Sequence, residues 1–183
     1  KNSYGYETIG IPGVVAGLIK LQEDHGVLEL NAVLAPAINY AENGYIMLPG
    51  EALRQQMAAE KIAEFEGSSH HFLKGNGTAN SAGDLIIQKD LAKVLKAIAA
   101  KGRKGFYEGE VARKIVKDIQ ANGGIITLED LKNYRALSSK IVNGVFKDHK
   151  VHSLYLPSFG AITVQILQIL DHLPSFNSEE DWA

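Results

Sequence analysis

The spacing of apolar residues predicts helices over most of this chain and a change to β-rich runs near its C-terminal end. After Gly10-Ile11-Pro12-Gly13, where proline and glycine suit a chain turning into a helix, Val14, Leu18 and Leu21 recur at i, i+4 and i+7 and mark a core-facing stripe closed by Gly26. Residues 31–43 carry a second helical pattern ending at Gly44. Pro36 interrupts it, and a proline inside a helix removes a hydrogen bond, so this stretch reads as a turn capped by Asn31 and a helix beginning near Leu34. Residues 51–65 are rich in Ala, Glu, Gln and Lys and predict a third helix. Residues 67–83 hold four glycines among Ser, Thr and Asn and read as a flexible loop or weak hairpin.

Leu91, Leu95 and Ile98 oppose Lys89, Lys93 and Lys96, which predicts a surface helix over 88–101. Val111, Ile115 and Ile119 repeat that pattern over 110–122, ending at Asn122-Gly123-Gly124. Thr127 with Asp130 three residues on reads as an N-cap opening a short helix to Tyr134. Residues 141–146 and 151–156 read as two strands of a hairpin separated by Lys147-Asp148-His149-Lys150. Helix returns over 159–173, with Ile162, Ile166, Ile169 and Leu170 as its apolar side, and acidic residues 178–181 suit the first turn of another.

Composition narrows the class. An apolar fraction of 45% with 22% charged residues excludes wholesale disorder and collagen-like repeats, and 183 residues can bury a core. The net charge of −2 weakens any whole-chain case for nucleic acid or an anionic membrane surface. Only the block 89–117 is basic, with nine positive and three negative residues, and its sole aromatics, Phe106 and Tyr107, are adjacent, so it reads as the solvated side of two helices. No apolar run reaches the roughly 18 residues of a membrane span. Without cysteine the chain has no disulfide, thiolate nucleophile or Cys-ligated zinc. The N-terminus lacks signal-peptide features and reads as the interior of a longer chain.

Candidate chemistry is sparse. Adjacent His70 and His71 point apart on regular structure; His149 and His152 fall on opposite faces of a strand; His25 and His172 sit at helix C-termini, where a partly charged imidazole is favourable. None of these forms a metal site. Gly10-x-x-Gly13 lacks the remaining residues of a phosphate loop and reads as a turn. Ser138, Ser139 and Ser158 are nucleophiles by type only, and Ser158, between Pro157 and a helix, reads as an N-cap. Glu108 and Glu110 suit a helix start.

Five blocks in order nevertheless carry a resemblance. Gly10-Ile11-Pro12-Gly13-Val14-Val15-Ala16-Gly17-Leu18 resembles the G-[IV]-P-G-x-V-A-G-[LF] segment of the large subunit of γ-glutamyltranspeptidases. Val33-Leu34-Ala35-Pro36-Ala37-Ile38 with Ala41 and Gly44, then Gly83-Asp84-Leu85 with Gln88, Leu91 and Ala92, are similar to later landmarks of that family. So are Phe106-Tyr107-Glu108-Gly109-Glu110-Val111-Ala112 and the run from Gly123-Gly124 through Thr127, Glu129, Asp130 and Leu131. The chain departs from the family in having Phe146-Lys147-Asp148 for Tyr-Arg-Gly. It also has Tyr155-Leu156-Pro157-Ser158-Phe159-Gly160-Ala161 for Pro-Pro-Pro-Ser-Ser-Gly-Gly, which reads as a divergent branch.

The resemblance implies an α+β, predominantly helical fold. Residues 1–183 would form a single partial domain of the αββα N-terminal nucleophile hydrolase architecture, with a C-terminal hairpin. It implies a zymogen cleaved so that a small subunit begins with threonine, which attacks a γ-glutamyl amide such as glutathione and passes the acyl group to water or an amine. In that family the threonine lies downstream of the matched region, and an arginine gripping the substrate carboxylate lies upstream of it. Thr8, Thr78, Thr127 and Thr163 are internal and precede no Thr-His pair, and Arg54, Arg103, Arg113 and Arg135 fall on helices or their flanks. No catalytic, substrate-binding or metal-ligating residue and no cofactor is therefore carried over, and the segment alone is expected to be inactive. The implied partners are a small subunit from the same precursor and γ-glutamyl small molecules or peptides, with neither nucleic acid nor membrane contact, and the implied location is periplasmic or extracellular. The alternative is a non-catalytic helical binding or interaction module.

Overall fold

A computed structural model describes residues 4–173. They divide into two compact units, one ending at Ala136 and the other starting at Leu137. The first unit contains α1 (Val14–His25), α2 (Leu30–Asn43), β1 (Tyr45–Ile46), α3 (Pro49–Ala63), α4 (Glu66–Phe72), β2 (Leu85–Ile86), α5 (Lys89–Lys101), α6 (Lys104–Tyr107), α7 (Gly109–Ala121) and α8 (Leu128–Asn133). The second contains β3 (Ile141–Phe146), β4 (His149–Leu154) and α9 (Gly160–Asp171). Mostly helical with short strands, this is the α+β class expected. The acidic stretch 178–181 lies outside the described residues.

In the first unit, α2 lies along α5, and their adjoining ends are tied by the antiparallel pair Tyr45↔Ile86 and Ile46↔Leu85. Gly44, with φ of +94°, lets the chain leave α2 beside Leu85 and Ile87, a conformation that other residues adopt only with strain. Contrary to the sequence expectation, α2 runs unbroken through Pro36. A proline deprives one carbonyl of its donor, and continuous packing on α5 offsets that local cost.

α1 reverses the expected face. Val14, Leu18 and Leu21 are 72%, 61% and 58% exposed, whereas Ala16 and Ile19 on the other side are buried. The helix is apolar on two sides, so periodicity alone could not choose between them. The buried side joins a core of Ala16, Tyr107, Ala112, Val116, Ile119, Ile126 and Leu131. In α7 the amphipathic pattern holds, with Ile119 buried and Val111 and Ile115 half-buried.

The stretch read as loop contains a helix, α4, followed by a tight turn: Leu73 bridges Ala79, and Lys74 N–H donates to Thr78 O at 2.8 Å. Leu73 is buried and anchors this segment despite its polar composition. At α8 the capping box forms as expected, Asp130 N–H donating to Thr127 Oγ1 (3.1 Å) while Thr127 N–H donates to Asp130 Oδ2 (2.9 Å). Thr127→Ala should cost about 1 kcal/mol in urea unfolding. The Thr127 hydrogen bonds hold the Asp130 carboxyl below its usual range. This contribution is therefore present at neutral pH and lost as pH falls through the lowered value, so the alanine variant should lose stability less steeply in acid.

In the second unit the hairpin turn is shorter than expected. Phe146 pairs with His149, and Lys147 and Asp148 both have positive φ (44° and 63°), the geometry of a two-residue turn that matches strand twist. His149 and Lys150 consequently belong to β4. On one side of the ladder Gly144 leaves room for the buried Val164 of α9. That contact sets the buried side of α9, leaving Ile162, Ile166, Ile169 and Leu170 exposed instead of buried.

Candidate functional site

Three of the five family-like blocks, at residues 10–18, 106–112 and 123–131, meet around Tyr107, at the end of α6. Its side chain is fully buried. The hydroxyl donates to Pro12 O at 2.5 Å and accepts from Ala16 N–H at 3.0 Å. Gly13 stands at the α1 N-cap with no side chain to offer, and Ala16 is the third helical residue, one of the first-turn donors that lack intrahelical partners. A phenol from 91 positions away performs the capping that serine or threonine performs elsewhere.

Two further residues fix that phenol. Tyr134 stacks on it with ring centroids 5.8 Å apart and planes inclined by 22°, and the Tyr134 hydroxyl abuts Gly13, where a Cβ would collide with it. Arg103 lies over the Tyr107 ring at 5.4 Å and donates to Tyr134 O (3.2 Å) and Lys132 O (3.1 Å), carbonyls at the C-terminal end of α8. A cation at that end of a helix meets its negative dipole. Glu108 is 3.6 Å from the same guanidinium, and Arg135 adds a bond to Lys132 O at 2.7 Å. Gly105 packs its α-carbon against the Ala97 carbonyl of α5, closer than any side chain permits. Gly10 to Gly13 is thus a turn held from outside, not a cradle for phosphate.

Burial pushes the Tyr107 hydroxyl above its ordinary pKa. Its proton is committed to Pro12, so it stays neutral and structural. The remaining candidates are likewise engaged locally. The hydroxyls of Thr8, Thr78, Thr127 and Thr163 donate to Gly5 O, Asn76 Oδ1, Asp130 Oδ2 and Phe159 O. Ser139 contacts Lys140 O at 3.3 Å. Ser158 does not cap α9, contrary to expectation: the chain makes a turn there, Ser158 N–H donating to Tyr155 O, and Phe159 occupies the cap position.

The histidines do not converge on an ion. His70 and His71 sit at the end of α4 with rings 5.0 Å apart; His149 and His152 bond Lys147 O and Asn143 Oδ1, each at 2.7 Å; His172 Nδ1 meets Gln168 O. Among the described residues no three His, Asp or Glu side chains could hold a metal. In the basic block Lys93, Lys96 and Lys114 pair with Asp90, Glu42 and Glu110 at 2.5–2.9 Å. A groove of about 930 Å³ with Val94, Phe106, Val111 and Ile115 in its wall lies between α5 and α7 and is lined by no serine or threonine. No local sequence pattern marks the roles of Tyr107 and Arg103, although Tyr107 lies inside one of the family-like blocks. Its signal is an isolated aromatic pair amid basic helix residues.

A family model described as Gamma-glutamyltranspeptidase matches residues 1–182. The chain is 37% identical over 167 residues to the glutathione hydrolase proenzyme of Escherichia coli (strain K12), covering 89% of this chain and 28% of that protein. It is 36% identical over 163 residues to the capsule biosynthesis protein CapD proenzyme of Bacillus anthracis, covering 89% and 29%. The crystal structure of Helicobacter pylori gamma-glutamyltranspeptidase superposes with a TM-score of 0.92 at 36% identity, covering 98% of this chain and 53% of that one. The chain thus spans less than a third of the curated relatives it matches.

Proposed function

The chain belongs to the gamma-glutamyltranspeptidase family, and from that membership we propose that it is a scaffold segment of the large subunit of an N-terminal nucleophile hydrolase. The parent transfers a γ-glutamyl group from an amide such as glutathione to water or an amine. The observation that carries this reading is the family match along residues 1–182.

In the proposed reaction, a threonine at the start of the small subunit attacks the γ-glutamyl carbonyl. Its own α-amino group takes the hydroxyl proton, and the amide nitrogen leaves as an amine after protonation. Backbone N–H groups hold the oxyanion. Water or an acceptor amine then releases the acyl group. The described residues contribute placement to this scheme: every threonine hydroxyl among them is tied to a local acceptor. The two-sided apolarity of α1 supports a role inside a larger assembly, its exposed Val14, Leu18 and Leu21 being suited to cover by the small subunit or the rest of the large one.

Incubated with a chromogenic γ-glutamyl anilide, the purified 183-residue chain should release no product above a buffer blank. The parent reading frame should release it once processed. Turnover by the chain alone, an acyl adduct on it, or a processed parent inert toward γ-glutamyl amides would each overturn the proposal.

A further inference from the structure

Asparagine followed by glycine is chemically labile, because the glycine nitrogen is unhindered and can attack the asparagine side-chain carbonyl. The chain has four such pairs: Asn43-Gly44, Asn76-Gly77, Asn122-Gly123 and Asn143-Gly144. The structure separates them. Asn43 ends α2, its Nδ2 donating to Asn39 Oδ1 at 2.7 Å while Gly44 N–H is held by Tyr40 O at 2.9 Å in helical geometry. Asn122 donates its Nδ2 to Asp118 O at 2.9 Å, so its amide is engaged through the leaving nitrogen. Asn143 has a single partner on its Oδ1, His152 Nδ1 at 2.7 Å, but it is fixed in the ladder opposite His152, and Gly144 is pressed against Val164, so the backbone cannot swing to bring Gly144 N onto the side chain.

Asn76 differs in the number of donors on its side-chain oxygen. Its Oδ1 accepts two hydrogen bonds, from Thr78 N–H (3.1 Å) and Thr78 Oγ1 (2.7 Å). We propose that this pair of donors makes Asn76 a self-modifying site, at which the chain converts asparagine to aspartate or isoaspartate faster than at its other Asn-Gly pairs. Gly77 N, after giving its proton to base, forms a bond to Asn76 Cγ. Negative charge develops on Oδ1, where the two Thr78 donors stabilise it as an oxyanion hole does. The Cγ–Nδ2 bond then breaks and ammonia leaves with a proton from water. Water opens the resulting succinimide at either carbonyl, so water is the only co-reactant.

Access favours the same site. Residues 75–78 are exposed, Gly77 has φ of +80°, and nothing lies within 4 Å of where its Cβ would stand. Gly77 N–H is restrained only by Lys74 O, at 2.8 Å in the same exposed turn, so one solvent-facing bond must open. The product has a consequence. Isoaspartate adds a main-chain atom between residues 76 and 77, which the Lys74–Gly77 and Lys74–Thr78 bonds cannot both absorb, and its carboxylate competes with Asp84 for Lys74, now 2.8 Å apart. The same segment is tied to α3 through Asn80 N–H and Gln55 Oε1 (2.6 Å).

The test is to incubate the 183-residue chain at mildly alkaline pH and follow each Asn-Gly pair by peptide mapping, scoring the asparagine-to-aspartate mass change and isoaspartate separately. Asn76 should convert at least about tenfold faster than the other three, and in denaturant the four rates should draw together. Thr78→Val, which keeps the N–H but removes the hydroxyl, should slow Asn76 severalfold, and Thr78→Ser should restore the rate. Equal rates in the folded chain, a faster site elsewhere, or a Thr78→Val rate like the original would overturn the proposal.

Discussion

Tyr107→Phe is expected to unfold at markedly lower urea concentration than the original chain, with a loss of about 2–4 kcal/mol. The substitution keeps the ring, its stacking on Tyr134 and nearly all of its volume, so a cavity contributes little. What disappears is one oxygen that serves two backbone groups. Ala16 N–H loses its acceptor and Pro12 O its donor, both beside a side chain to which water has no access. Each orphaned group costs about 1–3 kcal/mol when buried, and partial relaxation of the Gly10–Gly13 turn toward solvent sets the total below the sum. Amide exchange should localise the effect to the first turn of α1. A loss under about 0.5 kcal/mol, the ordinary range for surface substitutions, would refute the capping role. The ionisation behaviour has a matching sign: burial raises the tyrosine pKa in the fold, so the unfolded chain ionises first. The Tyr107 contribution is complete at neutral pH and declines as pH rises above the value for free tyrosine. Tyr107→Phe should show less alkaline destabilisation than the original.

Gly105→Ala is expected to be comparably damaging by the opposite mechanism. A methyl group there would overlap the carbonyl oxygen and carbon of Ala97 and the nitrogen of Ile98, all backbone atoms inside α5. A flexible side chain could swing away, but a helix backbone cannot. Either α6 moves off α5, pulling Tyr107 from its partners, or α5 bends. Overpacking of this kind costs about 1–3 kcal/mol, occasionally more, and in a chain of this size each kcal/mol lowers the melting temperature by about 2–4 °C. Tyr107→Phe and Gly105→Ala should therefore combine for less than the sum of their separate effects, because both release the same contact. Additive losses would separate the two sites.

Most helices and the hairpin were legible because each rests on local signals: glycine closing α1, the Thr127–Asp130 cap, the β-rich runs around residues 147–148. Features that depend on distant partners were not. Which side of α1 and α9 is buried depends on a partner surface, and Ala16 with Ile19 competes with Val14, Leu18 and Leu21 for that role without any difference in period. The helix through Pro36 depends on packing against α5, which propensity does not register. The role of Tyr107 spans 91 and 95 residues to its two partners, and no local pattern marks a residue as a distant cap. The family-like blocks, by contrast, are legible as strings, and three of them pack together around Tyr107. What the sequence could not show was that glycines 13 and 105, tyrosines 107 and 134, and Arg103 are parts of one packing arrangement.

The remote cap also orders events in time. An isolated helix of a dozen residues is marginal in water, and α1 has 12 residues and no capping side chain of its own. Its stabilising oxygen is made only after 91 further residues have been joined. At about 5–20 residues per second of synthesis, α1 waits several seconds, unconsolidated, before the phenol that secures it exists. The Gly10–Gly13 turn is thus secured no earlier than the synthesis of residue 107, although it is made well before it.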